Sequence, residues 1–180
     1  MRASVARADA PYRSGVQSVV VARLIVLAAT ALLASCDGKR HEAATEADVD
    51  KRHAAEYLRA FLIDRDWQRW PEYFAPDAKL NGSDLALPIM RGTAESLNFS
   101  FAGLTLSIRE QIAEPNRVAT AFVLEGQYER EFNGEAPTHQ RLEIDGYAFD
   151  RFERGKVVES RLFIDVWGLK QRAALATQAK

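Results

Sequence analysis

A chain of 180 residues with a single cysteine, Cys36, cannot form an internal disulfide or a multi-thiolate metal site. Histidine is nearly as scarce. His41, His53 and His139 are scattered, and none sits at a metal-ligand spacing from carboxylates, so no metal and no cofactor is expected. No apolar run reaches the roughly 20 residues that a membrane-spanning helix needs. The 24 basic residues do not exceed the 25 acidic ones, which argues against a nucleic-acid-binding face. Internal repeats and low-complexity blocks are also missing.

What is present begins at the N-terminus. Arg2, Arg7, Arg13 and Arg23 precede the uncharged run Leu24-Ile25-Val26-Leu27-Ala28-Ala29-Thr30-Ala31-Leu32-Leu33. Ala34, Ser35 and Cys36 follow, then the polar stretch Asp37-Gly38-Lys39-Arg40. A charged start, a short apolar run and small residues make a secretory signal over residues 1–35. Leu33-Ala34-Ser35-Cys36 resembles the lipobox of bacterial lipoproteins, in which the cysteine becomes the lipidated first residue. That resemblance implies lipidation at Cys36 and a membrane surface outside the cytoplasm, in the bacterial cell envelope. Asp37 resembles an inner-membrane retention signal. Lipidation would leave no free thiol, and so no cysteine nucleophile. Without Arg2, Arg7, Arg13, Arg23 and Asp9, 20 basic and 24 acidic residues remain, a net charge of −4. Residues 36–45 read as a polar tether, and 46–180 as one domain with a real core.

Thr45 is placed to cap a helix whose apolar residues Ala54, Tyr57, Leu58, Phe61 and Leu62 recur at helical spacing. Asp66 is placed to cap a second, short helix carrying Trp67, Trp70 and Phe74, which Ala75-Pro76-Asp77 should end. A brief extended stretch at Leu80 runs into the turn Asn81-Gly82-Ser83-Asp84. Thr93 reads as the cap of a third helix, with Leu97 and Phe101 facing in. From Leu104 the pattern alternates. Strands are expected over Leu104 to Ala113, Val118 to Phe132, Leu142 to Phe152 and Val157 to Trp167, with Gly126 marking a bulge or bend. A short C-terminal helix with Leu169 and Leu175 closes the chain. Helices followed by an antiparallel meander predict an α+β fold.

Several stretches resemble the nuclear transport factor 2-like (NTF2-like) superfamily, and in the second half its SnoaL-like polyketide cyclase (ester cyclase) branch. They are Asp66-Trp67, Tyr73-Phe74-Ala75-Pro76-Asp77, Asn116-Arg117-Val118-Ala119, Gly126-Gln127-Tyr128, Phe132-Asn133-Gly134-Glu135-Ala136-Pro137-Thr138, Phe149-Asp150-Arg151-Phe152-Glu153-Arg154-Gly155-Lys156-Val157-Val158-Glu159, and Asp165-Val166-Trp167-Gly168-Leu169. The resemblance covers roughly residues 50 to 176. It implies a cone: a strongly bent antiparallel sheet closed by three N-terminal helices around an apolar pocket, in proteins that often pair through the sheet. Such cyclases use a pocket aspartate and nearby histidines. The matching positions here carry Leu162 for the aspartate and Ser160 and Ala148 for the histidines. None of the three moves a proton usefully near neutral pH.

The resemblance points Leu142, Ile144, Gly146, Ala148 and Asp150 inward, with Ser160, Leu162, Ile164 and Val166 beside them. This is an apolar wall with one carboxylate. Asp150 is expected either as a buried base of raised pKa or as a rim residue paired with Arg151 or Arg154. The opposite face carries Glu143, Asp145, Tyr147 and Phe149 and then Arg161, Phe163, Asp165 and Trp167, a mixture suited to a homodimer interface. Expected cavity-lining residues are Tyr57, Phe61, Trp67, Trp70, Asn81, Met90, Phe101, Phe122, Tyr128, Ala148, Ser160 and Leu162.

Three functions follow. The first is binding of a small apolar ligand in the cone. The second is a cyclase-, isomerase- or hydrolase-type enzyme using Asp150 or Asp165. The third is a non-catalytic interaction module working through the sheet face.

Overall fold

The computed structural model describes residues 46–178. Cys36, Asp37, His41, the tether and the Thr45 cap lie outside the described residues. Helix α1 runs through 46–62, and the helical period holds: Ala54, Tyr57, Leu58, Phe61 and Leu62 are fully buried. The chain leaves α1 through Arg65, which takes a left-handed φ of 56°. A 3-10 turn, Trp67–Arg69, then leads into α2, Trp70–Tyr73. Asp66 precedes this turn as expected, but its side chain makes no capping bond. Pro71 falls in the first turn of α2, where its missing N–H costs nothing.

Strand β1, Phe74–Leu80, starts where the sequence pattern signals only a stop. Pro76 lies inside it. An edge strand accepts proline because only one side of it is paired. β1 is such an edge, bonded to one neighbour, with a register shift between Phe74 and Lys79. Helix α3, Ala86–Ser100, also begins earlier than Thr93. Ala86, Met90, Ala94 and Leu97 are its buried stripe, and Gly92 and Thr93 lie in its interior. The Thr93 hydroxyl donates to the Ile89 carbonyl at 3.0 Å instead of capping a new helix.

Strands β2 (Phe101–Glu114), β3 (Arg117–Tyr128), β4 (Arg141–Glu153) and β5 (Lys156–Ile164) form the antiparallel meander that alternation predicts. The sheet order is β1-β5-β4-β3-β2. β1 runs parallel to β5, so the sheet is mixed, and a fourth helix, α4 (Val166–Gln178), follows β5. The architecture is the expected α+β arrangement.

Gly126 serves close approach and not a bulge of its own strand. β3 pairs with β4 without interruption from Arg117 to Gln127, while β2 shifts register opposite it, between Ala102 and Thr105. A Cβ added at Gly126 would lie 3.1 Å from the Phe101 Cβ and 3.2 Å from the Ala102 carbonyl oxygen. Gly146 makes room for a side chain in the same way: a Cβ there would come within 2.3 Å of the Phe122 ring. That ring is buried in the hydrophobic core.

Candidate functional site

The expected cavity-lining residues separate into distinct places. Tyr57, Phe61, Met90, Phe101, Phe122, Tyr128 and Ala148 are core, each no more than 2% exposed. They pack on one another. Phe61 stacks near-parallel on Trp67 at 5.6 Å and meets Tyr73 edge-on at 5.7 Å. Phe101 stacks on Tyr128 at 4.8 Å. Trp70 stacks on Phe74 at 3.9 Å and borders a separate groove beside β1 and the start of α3. Asn81 and Leu162 do line a cavity, of about 380 Å³.

This cavity lies between β1, α3, β5 and the loop after β3. Its walls are Leu80, Asn81, Ile89, Gly92, Thr93, Ser96, Phe132, Asn133, Leu162, Ile164 and Val166. None of these side chains titrates. One wall is apolar: Leu80, Phe132, Leu162, Ile164 and Val166. The facing stripe on α3 carries Thr93 and Ser96, three residues apart and so on one side of the helix. Gly92 sits in that stripe, and a Cβ built on it would meet nothing within 4 Å. Asn81 extends the β1–β5 pairing with its side chain. Its Oδ1 accepts from the Leu162 N–H at 2.8 Å, and its Nδ2 donates to the Leu162 carbonyl at 3.1 Å. A left-handed φ of 52° sets this pose, which asparagine tolerates better than most residues. Sequence pattern alone does not single out Ile89, Gly92, Thr93 and Ser96 of α3, because a helix starting at Thr93 leaves its cavity-facing stripe incomplete. The amphipathic stripe from Ala86 to Leu97 was the signal that could have found them.

Two residues along β5 from Leu162, on the same face, a buried polar cluster joins three elements. The Tyr57 hydroxyl of α1 lies 2.8 Å from both oxygens of Asp150 on β4 and 3.5 Å from the Ser160 Oγ on β5. Asp150 and Ser160 are directly paired across the sheet. Burial away from water pushes the Asp150 carboxyl up from the ordinary 3.8 to about 7, against the hydrogen bonds from Ser160 and Tyr57, which favour the charged form. Burial also holds the Tyr57 hydroxyl well above its usual range. Of the two positions expected for Asp150, the interior one is correct. Neither Arg151 nor Arg154 reaches it; Arg151 pairs with Glu153 and Glu159.

Asp165 has a structural task. Its Oδ1 accepts from the Gly168 N–H at 2.8 Å, capping α4. Among the described residues, no group of three or more His, Cys, Asp or Glu side chains could hold a metal ion, and no helix is long and apolar enough to cross a membrane. His139 pairs with Glu129 at 2.9 Å, and His53 lies against the Tyr73 ring.

On the outer face of the sheet, Tyr147, Phe149 and Phe163 are 44%, 50% and 52% exposed, whereas Trp167, expected at the end of the last strand, falls in α4 because β5 stops at Ile164, and is 70% exposed. Phe149 and Phe163 meet edge to face at 6.4 Å. They border an open groove of about 660 Å³ with Arg117, Arg151, Glu159 and Arg161. Asp150 borders this groove from its strand, while its carboxyl is engaged on the helix side by Tyr57.

A five-stranded sheet and helices in this arrangement have known relatives. The model of the SnoaL-like polyketide cyclase family matches residues 52–172, and the chain belongs to that family. Three solved structures illustrate the likeness. AclR of Streptomyces galilaeus, a candidate hydroxylase, is 25% identical, with a TM-score of 0.59 over 71% of this chain and 97% of its own. IdmH of Streptomyces antibioticus, a candidate polyketide cyclase, is 20% identical, with a TM-score of 0.58 over 69% of this chain and 98% of its own. A SnoaL-like polyketide cyclase of Agrobacterium tumefaciens is 14% identical, with a TM-score of 0.59 over 68% of this chain and 96% of its own. No curated protein matches the chain.

Proposed function

We propose that this chain is a binding member of its family, holding a small, mainly apolar molecule in the cavity between α3, β1 and β5 without moving protons there. One observation carries this reading: eleven residues line the cavity and none of them titrates. Acid–base catalysis needs a side chain that can gain or lose a proton within hydrogen-bond reach of the substrate. Leu162, at the position that the family resemblance assigns to the aspartate, forms part of the cavity wall, and its cross-strand partner Ala148 holds one of the histidine positions. A volume of 380 Å³ lies at the small end of the ~300–1,000 Å³ usual for small-molecule sites.

Gly92 offers a clean test, because a side chain there projects into open space from a helix interior. Gly92→Ala should raise stability by ~1 kcal/mol through helix propensity alone. Gly92→Leu should stay folded, yet lose at least about tenfold in affinity for an apolar probe such as 2-naphthol, equivalent to ~1.4 kcal/mol. Unchanged affinity in the leucine variant, measured by calorimetry, would remove the cavity from consideration.

A catalytic reading draws on Asp150, whose carboxyl is poised near 7 and so suits a general acid or base. Against it, the carboxyl is 4% exposed and engaged by Tyr57, and Asp150 is absent from the cavity wall. Asp165 is occupied as a helix cap.

The protein is further proposed to be tethered through lipidated Cys36 to a bacterial membrane, facing outside the cytoplasm. Two or more acyl chains hold a protein stably where one holds it marginally. In a bacterial host, the wild type should sediment with membranes and Cys36→Ala should appear in the soluble fraction. Equal partitioning of the two would refute the anchor.

A further inference from the structure

The proposed cavity also has the features that decide what kind of molecule enters it. We infer that it selects an uncharged ligand with one polar end, and that Thr93, Ser96 and Asn133 read that end; this rests on the binding role proposed above.

No lining residue carries a charge. Two neighbouring ion pairs engage each other and not the cavity: Arg91 with Glu95 at 3.2 Å along α3, and Lys170 with Glu135 at 2.7 Å. A carboxylate or ammonium seated there would shed part of its water and find no counter-ion in the walls. A neutral molecule needs no counter-ion.

The Asn81 amide is committed to both backbone groups of Leu162. Turning it towards a ligand would forfeit both of these bonds. Thr93 has given its proton to the Ile89 carbonyl and keeps only acceptor lone pairs. The side chains of Ser96 and Asn133 make no hydrogen bond among the described residues. Serine offers one donor and two lone pairs, and the asparagine amide offers both kinds of group. The free polar capacity therefore lies on one side, shared by α3 and the loop after β3. The opposite wall of Leu80, Leu162, Ile164 and Val166 offers only apolar surface. An alcohol, phenol, ketone or lactone with an apolar body fits this division. The apolar body faces the sheet and the oxygen faces α3.

Three probes of nearly equal shape separate the possibilities: naphthalene, 2-naphthol and 2-naphthoate, titrated calorimetrically at pH 7 into the lipid-anchored protein held in detergent. The expected order is 2-naphthol about tenfold tighter than naphthalene, with 2-naphthoate weakest, since a neutral hydrogen bond contributes about 0.5–1.5 kcal/mol, roughly threefold to tenfold. The double variant Ser96→Ala, Asn133→Ala should bring 2-naphthol down to the naphthalene level and leave naphthalene itself unchanged. Equal binding of naphthalene and 2-naphthol, or tightest binding of 2-naphthoate, would overturn the ligand class while the cavity role survives. Binding of none of the three would overturn the cavity role and this inference together.

Discussion

Asp150→Asn should flatten the fall in stability that the wild type shows as pH rises from 4 to 8. The folded protein keeps the Asp150 proton up to about 7, whereas an ordinary aspartate has lost it above 3.8. Between these values the folded state binds more protons than the unfolded state, so raising the pH favours unfolding. The stabilising contribution is complete below 3.8 and gone above about 7. That span corresponds to roughly 4 kcal/mol. Asparagine is neutral at every pH, and its amide can still meet the Tyr57 and Ser160 hydroxyls. The difference in unfolding free energy between the variant and the wild type should therefore grow by about 4 kcal/mol from pH 4 to pH 8, and then level off. Parallel curves from denaturant titrations would show that Asp150 ionises at an ordinary pH. Tyr57→Phe should move the midpoint upward, because it removes a hydrogen bond that favours the carboxylate.

Phe61→Ala should cost about 3–5 kcal/mol, the range for deleting a large aromatic side chain from a core. Phe61 is fully buried between α1 and α2, with Trp67 stacked on it and Trp70, Tyr73 and Phe74 around it. Its removal leaves a hole lined by rigid rings, which collapse poorly. Denaturant unfolding reads the loss directly. Phe61→Leu separates packing from ligand contact: it should bind 2-naphthol as the wild type does, because Phe61 lies away from the cavity wall. A drop in affinity without a drop in stability would place Phe61 in the ligand site, where the sequence pattern alone puts it.

That last contrast shows where sequence reading loses its grip. Aromatic residues on helix faces look alike whether they fill a core or line a cavity. Phe61 and Trp70 carry the same apolar signal, yet one sits in the core and the other borders a groove. Periodicity reports which side of an element is inward, and it did so for α1 and for the alternation along β3, β4 and β5. It cannot report whether the inward volume is filled. The filling depends on Phe122 swinging over Gly146, two residues 24 positions apart that meet only because β3 and β4 pair at that point. The start of α3 was misplaced for a local reason. Gly92-Thr93 imitates a helix entry, and the tertiary burial of Ala86 and Met90 overrides it. β1 was read short because Pro76 discourages a strand, a rule that relaxes at a sheet edge.

The sequence by itself determined the α+β class and the inward faces of α1, β3, β4 and β5, which follow from residue type and spacing acting locally along one element; the family follows from likeness along the whole domain. Tertiary structure alone decided that Tyr57 meets Asp150 across 93 residues, that Asp165 caps α4, and that Leu162 lines an open cavity while Phe61 and Phe122 are packed in the core. The physical reason is that burial, cavity volume and hydrogen-bond partnership belong to pairs of elements, and their values are set only when helix and sheet are brought together.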